Sequence, residues 1–214
     1  MVELFGGAIE ASVPSTWRDV SRVRQVPDNQ EVFQDCTEET GAVLVIEILE
    51  YQINVANADA CSYFLNDLAE TNEASSLHII ESSNSIVNLH PDDDDTNDSE
   101  MKMAWFPNLS VPASKMGEQC CACIARGSQK VAQGGREGSS ANNINDAQWI
   151  DVEICVMRLP TVQTDLLITL STPQRSDAVR SDADAGAVGQ KDSGTLLQQI
   201  LKTVNIKDWS LFAS

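Results

Sequence analysis

The sequence has little of what catalytic and metal sites usually require. Among its 214 residues only two are histidines, His78 and His90, and they stand apart from each other. There is no G-x-S-x-G, Walker or G-x-G-x-x-G motif. A Cys/His or Ser/His couple would depend on one of the two histidines, and the surroundings of each favour a structural role. Nothing in the pattern predicts an enzyme.

Long apolar runs and basic residues are also scarce. No run is long enough to span a bilayer, and the N-terminal segment lacks the basic region and apolar stretch of a signal peptide. Lys and Arg number 14 against 32 Asp and Glu, which gives a formal net charge of −18. Such a charge repels phosphate backbones and anionic lipids, so we expect neither nucleic acid nor a membrane as partner. It favours a partner with a basic patch, although solubility alone would also explain it.

Cysteine is more frequent, but its spacing is poor for chemistry. Cys120 and Cys123 form a single C-x-x-C, without the second pair or nearby histidines that four zinc ligands would require. Strand alternation would place Cys121 and Cys123 on one face and Cys120 on the other, which suits packing. We therefore expect free thiols, no metal and no cofactor, with a thiol or metal-site protein built on the 120–123 cluster as the alternative. The six cysteines are Cys36, Cys61, Cys120, Cys121, Cys123 and Cys155.

Several segments have the periodicity of strands. Residues 42–49 are largely apolar on both faces, which predicts a central strand covered on both sides. Residues 149–158 alternate cleanly and residues 166–170 run back, which predicts an antiparallel hairpin. Residues 30–35 also alternate, whereas residues 17–25 have the composition of a polar connector.

Two segments have helical periodicity. Asp59 can cap a helix over residues 60–69. Near the end of the chain, Asp192 or Ser193 can cap a helix over residues 193–204. We expect this second helix to pack through one apolar stripe that includes Leu197, Ile200 and Leu201.

Together these patterns predict about six strands and two or three helices. Short links between successive strands indicate an α+β fold, an antiparallel sheet with helices packed on it. We expect one domain over residues 1–214, with long loops at about 88–115, 134–147 and 173–192. The first loop contains the acidic run at 92–95, which lacks the spacing of a calcium loop and is expected to be a solvated linker.

The stretch VPDNQEVF, residues 26–33, places a proline and four polar residues directly before a strand. Pro27 fixes the backbone and removes a donor, and Asp28 with Asn29 can form an Asx-type turn. Glu31 points to solvent if the valine after it points inward. A simple turn and a contact surface both explain the pattern, and the two are compatible.

Four segments occur in an order that resembles the Mog1 family of Ran-binding nuclear import factors. VPDNQEVF is the most specific of them, and LPTVQTDLLITL at 159–170 is the second; LFGGAI at 4–9 and WSLF at 209–212 complete the set. The resemblance covers almost the whole chain outside the long loops. The acidic run and the CCAC sequence are not part of it.

The resemblance implies a twisted antiparallel sheet with helices on both sides, a fold related to the PsbP proteins of photosystem II. It also implies a protein that is not an enzyme, but binds the small GTPase Ran and promotes release of its guanine nucleotide. We accordingly expect a monomer that acts in the nucleus and cytoplasm. A PsbP-like photosystem accessory protein is the alternative, although it should carry a transit peptide, which the N-terminal segment does not resemble.

The resemblance further places GTPase binding on an acidic surface. The matching residues in this sequence are Asp19, Asp28, Asn29, Gln30 and Glu31. Because Asp28 can also hold the turn, we expect charge reversal at Glu31 to weaken binding more than charge reversal at Asp28.

Overall fold

The structure, a computed structural model, describes residues 1–37, 40–82, 86–89, 104–115, 120–132, 147–174 and 195–212. The acidic run at 92–95 and most of the three predicted loops lie outside these residues. The described strands are β1 (Val2–Leu4), β2 (Ile9–Ala11), β3 (Trp17–Asp19), β4 (Gln30–Asp35), β5 (Val43–Glu50), β6 (Ser76–Ser82), β7 (Val87–Asn88), β8 (Cys121–Ala132), β9 (Ala147–Leu159), β10 (Thr164–Pro173) and β11 (Asn205–Ile206).

The strands form two antiparallel sheets. The larger sheet has the order β3-β4-β5-β10-β9-β8-β6, and β7 pairs with β8 as its eighth strand. The smaller sheet has the order β1-β2-β11. The antiparallel sheet predicted from the sequence is confirmed, whereas the predicted number of about six strands is too low.

A strand at one edge of the larger sheet is among those that the sequence did not predict. β3 occupies Trp17–Asp19, where a polar connector was expected, and it pairs with β4 so that Asp19 lies opposite Phe33. A strand of three residues is too short to show an alternation of apolar and polar residues that would distinguish it from a turn. Pairing with a longer neighbour, not local pattern, makes this segment a strand.

The centre of the larger sheet follows the sequence closely. β5 lies between β4 and β10, and β9 and β10 form the predicted hairpin, which closes with Leu159 opposite Thr164. Consecutive residues of these strands face opposite sides of the sheet. Leu167, for example, belongs to one apolar cluster, while Leu166 and Ile168 belong to another. Both faces of the sheet are therefore covered.

The described residues contain little helical structure. The helix α1 (Ala60–Thr71) packs on one face through residues that include Phe64 and Leu65, and this side is called the α1 face. The helix α2 (Leu196–Leu201) belongs to the opposite cluster together with the smaller sheet, and this side is called the α2 face. None of the helices in the described residues is long and apolar enough to cross a membrane.

The helix ends differ from the prediction in detail. α1 begins after Asp59 as expected, but the Asp59 side chain makes no capping hydrogen bond. α2 is shorter than predicted and is capped by Thr195, whose hydroxyl accepts from Gln198 N while the Gln198 side chain accepts from Thr195 N. Asp192 and Ser193 lie outside the described residues. The apolar stripe itself is confirmed, since Leu197, Ile200 and Leu201 are all buried.

Candidate functional site

The turn before β4 is formed by the backbone. Gln30 N donates to Pro27 O over 3.0 Å, so Asp28 and Asn29 occupy the two corner positions. Asn29 is joined to β5, because its side-chain Nδ2 donates to Ile48 O over 3.1 Å and its carbonyl accepts from Ile48 N over 2.9 Å. The turn is thus held without the side chain of Asp28.

Asp28 differs from the neighbouring acids Asp19 and Glu31, because its carboxylate is exposed and has no described partner. It lies in solvent, and no hydrogen bond or ion pair joins its carboxylate to another described residue. The expectation that Asp28 helps to hold an Asx-type turn is therefore wrong. Its carboxylate remains available for contact with another molecule.

Glu31 is committed to the fold instead. Its Oε1 accepts from the backbone N of Phe5, which follows β1, over 2.6 Å, and the side chain is half-buried. Glu31 lies on the same side of β4 as Phe33, which belongs to the cluster on the α2 face. The valine between them, Val32, is also buried. Because both faces of β4 are covered here, an inward Val32 does not make Glu31 point freely outward.

Gln30 brings a further acid into the site. Gln30 Nε2 donates to Glu47 Oε1 of β5 over 2.6 Å, and the two residues are direct partners in the register of the strands. Sequence reasoning missed Glu47. The only signal was a single acid inside the apolar run of the predicted central strand, which gives no information about its partner on the neighbouring strand.

Asp19 lies on the same face as Glu31, because it pairs with Phe33, two residues further along β4. Its Oδ1 accepts from Ser21 N over 2.8 Å and so caps the short turn Val20–Arg22. Its Oδ2 lies 3.5 Å from Arg22 Nε, in a pair whose arginine is highly exposed. The negative charge of Asp19 is therefore partly balanced, unlike that of Asp28.

The second segment of the family resemblance contains a different arrangement. Arg158 and Asp165 face each other across the β9–β10 hairpin, with Nε and Oδ1 3.1 Å apart and both side chains fully buried. Burial raises the pKa of Asp165, whereas the N–H of Gln52 and the Arg158 guanidinium act in the opposite direction. Since both charges are withdrawn from solvent, this pair serves the fold and not direct contact.

The thiols are mostly buried and are divided between the two faces. Cys120 and Cys155 belong to the α2 face and Cys61 and Cys123 to the α1 face, so Cys120 and Cys123 lie on opposite faces as predicted. The Sγ atoms of Cys61 and Cys123 are 2.9 Å apart, and the hydrogen bond from Cys61 lowers the pKa of Cys123. Burial raises the pKa of Cys121 to about 12. A reactive cysteine needs a stable thiolate and access, and buried thiols lack the second.

Cys36 is the exposed member of the six. No group of three His, Cys, Asp or Glu that could hold a metal ion occurs within the described part of the chain.

Fold and site together define a class: an antiparallel-sheet protein that presents acid and amide side chains at the turn leading into one of its strands, β4. The model of the family described as "Ran-interacting Mog1 protein" matches residues 2–173, and the chain belongs to that family. The Ran guanine nucleotide release factor of Danio rerio is 30% identical over 213 residues, which are 98% of this chain and 97% of that protein. The nuclear import protein mog1 of Schizosaccharomyces pombe is 30% identical over 173 residues, covering 81% of this chain and 76% of its own.

A solved structure has the same fold. The crystal structure of the Saccharomyces cerevisiae Ran-binding protein Mog1p superposes with a TM-score of 0.64 at 21% sequence identity, covering 99% of this chain and 96% of that chain. The match shows the Mog1 fold, but the predicted sheet of about six strands with helices packed on both faces is not found in that form: the larger sheet has eight strands, and the described residues contain few helices.

Proposed function

We propose that this protein binds a Ran-type small GTPase and promotes release of its guanine nucleotide in support of nuclear protein import. The observation that carries the proposal is family membership over residues 2–173, together with the release-factor name of a relative matched over 98% of this chain. A second relative is named a nuclear import protein. We accordingly place the action of the protein in the nucleus and cytoplasm.

The proposed role is binding and not catalysis. A release factor needs no reactive group, because it has only to bind the nucleotide-free GTPase more tightly than the loaded form. By thermodynamic linkage, the affinity of the GTPase for its nucleotide then falls by the same factor. The scarcity of catalytic motifs in the sequence is consistent with such a mechanism.

The proposed contact surface is the acidic turn, which is defined by Asp19, Asp28, Asn29, Gln30 and Glu31. We place Asp28 at its centre because that carboxylate is exposed and free of described partners. Asn29 and Gln30 hold the turn to β5, and Glu31 holds it to the residue after β1. These three residues thus fix the position from which Asp28 meets a partner.

Acidic side chains can promote release in two ways. They can compete for the basic or Mg²⁺-linked groups of the GTPase that hold the phosphates, or they can displace one of its switch loops. If the acids compete for these groups, added Mg²⁺ should strongly slow nucleotide release. If they displace a switch loop, added Mg²⁺ should have only a weak effect on the release rate.

The test is retention of the purified protein on Ran loaded with GTP, loaded with GDP, or freed of nucleotide. We expect the nucleotide-free form to retain most, and we expect the protein to speed loss of a fluorescent guanine nucleotide from Ran. A small GTPase of another class is the matched control. Equal retention on all three forms would contradict release, and retention on none would contradict binding.

A further inference from the structure

The loop after β5, residues 51–57, is shaped by the buried pair Arg158–Asp165. The guanidinium donates to Gln52 O over 2.7 Å, to Val55 O over 2.6 Å and to Asn57 Oδ1 over 2.9 Å. Asp165 Oδ2 accepts from Gln52 N over 2.9 Å. Apart from the bond between the two partners, every side-chain hydrogen bond found for this pair in the described residues goes to this one loop.

The tip of the loop lies in solvent although its backbone is fixed. Ile53 is 79% exposed. Ile53 N donates to Tyr51 O and Val55 N donates to Gln52 O, both over 3.0 Å. The ring of Tyr51 in turn lies 4.4 Å from the guanidinium carbon of Arg158. Ile53 therefore adds little to the core of its own protein, while buried polar bonds determine its position.

A solitary exposed isoleucine is ordinary on a protein surface. A buried ion pair is unusual in a protein core, because it is costly to desolvate and apolar residues of similar volume often stabilise a core equally well. What the pair Arg158–Asp165 supplies is the shape of one loop. A pre-shaped loop loses little conformational freedom on binding, and a few well-placed anchors carry most of the energy of an interface. The combination of a rigid loop and an apolar tip is what a recognition element requires.

The loop lies at the same end of the larger sheet as the acidic turn. Asn29 of the turn is hydrogen-bonded to Ile48 of β5, and β5 ends two residues later at Glu50, where the loop begins. Glu50 and Asp59, both exposed, stand before and after the loop. An apolar tip bordered by acids fits an apolar hollow bordered by basic side chains, and it selects the same sign of charge in a partner as Asp28 does.

We infer that Ile53, presented by the loop that Arg158 holds, is an apolar anchor for the same Ran-type GTPase that the acidic turn attracts. This inference rests on the proposed function and extends it. Charge at Asp28 acts mainly on the rate of association, whereas an anchor that leaves water on binding acts mainly on the rate of dissociation.

The two rate constants can be measured with nucleotide-free Ran immobilised on a sensor surface. Ile53→Ser should dissociate about tenfold faster, the scale of a lost interface anchor, with unchanged association and salt dependence because no charge changes. Ile53→Met keeps an apolar tip and should dissociate like the parent protein. Asn57→Ala keeps Ile53 but removes one of the acceptors through which Arg158 fixes the loop. We therefore expect faster dissociation than for the parent, by a smaller factor than for Ile53→Ser. Thermal melting of each variant shows that the fold is retained.

The matched control is Ile79→Ser, an isoleucine that is 41% exposed on β6. β6 ends the sheet at the edge opposite β3, and we expect this variant to bind like the parent. If Ile53→Ser dissociates at the parental rate while Asp28→Lys slows association, the anchor inference is wrong and the proposed function stands. If the parent protein does not bind Ran at all, both are wrong. Equal effects of Ile53→Ser and Ile79→Ser would also overturn the inference, because any exposed isoleucine would then suffice.

Discussion

The two segments that most resemble the family, VPDNQEVF and LPTVQTD, have opposite surroundings in the structure. In the first, Asp28 lies in solvent and has no described partner. In the second, Asp165 is fully buried and accepts hydrogen bonds from Arg158 and Gln52. Each aspartate belongs to or follows a turn that enters a strand. Likeness to a family motif therefore does not say whether a carboxylate serves contact or fold; its burial and its partners do.

The same contrast divides the first segment itself. Asp28 and Glu31 are three residues apart, but within the described residues only Glu31 has a hydrogen bond to a distant part of the chain, the backbone of Phe5. This contact commits Glu31 to the fold and leaves Asp28 available to a partner, so we propose that charge reversal weakens binding more at Asp28, whereas the sequence predicted the larger effect at Glu31.

The largest expected effect is a loss of stability, and it should occur for a variant of the buried segment but not for a variant of the exposed one. Arg158→Met leaves Asp165 buried without its countercharge, and loss of one partner of a buried ion pair costs about 3–5 kcal/mol. Urea unfolding should show a loss of stability of this size. Asp28→Asn is the matched change in the exposed segment and should alter stability by less than about 0.5 kcal/mol. Similar losses for the two variants would abolish the distinction.

Charge reversal within the acidic turn sharpens the comparison further. Asp28→Lys should keep its melting temperature but associate with Ran about tenfold more slowly at low salt, with a flatter salt dependence. Glu31→Lys should melt at a lower temperature, because it removes the acceptor of the Phe5 N–H. Glu31→Gln keeps an oxygen acceptor and should recover most of that stability.

These rates and melting curves also test the ranking of the two acids. A stable Glu31→Lys variant that binds Ran more weakly than Asp28→Lys would restore the order predicted from the sequence.

Asp35, at the other end of β4, gives an intermediate case. It is buried and accepts hydrogen bonds from Thr40 and Thr37 in the connection to β5, and these bonds lower its pKa. Because the pKa is lower in the folded than in the unfolded state, the stabilisation is present at neutral pH and is lost as the pH falls through the folded-state pKa. Asp35→Asn should therefore melt a few degrees below the parent at neutral pH, with the difference narrowing in acid. A difference that stays constant with pH would assign the effect to packing.

The smallest effect is expected at the exposed pair of Asp19 and Arg22. Their side chains are 27% and 83% exposed, and such pairs contribute little, so Arg22→Ala should change stability by no more than about 0.5 kcal/mol. Removal of the neighbouring positive charge should speed association with Ran by about twofold at low salt, because Asp19 is then unbalanced. Slower association would show that Arg22, and not Asp19, meets the partner.

Long periodic segments were predictable and short ones were not. The central strand β5, the β9–β10 hairpin and the helix after Asp59 all lie where their apolar patterns indicate. β3 has three residues and no pattern of its own. The same holds for the candidate site: its segment could be recognised from the sequence, but the hydrogen-bond partners of its side chains could not.

By itself the sequence determined the antiparallel sheet, its two covered faces and the family, because these depend on the periodicity and order of residues along the chain. Only the tertiary structure decided which acid is free. Glu31 meets Phe5, Gln30 meets Glu47, and Arg158 reaches the loop at 51–57 across long stretches of sequence. Such contacts are set by strand order and register, which bring distant residues together and which no local pattern encodes.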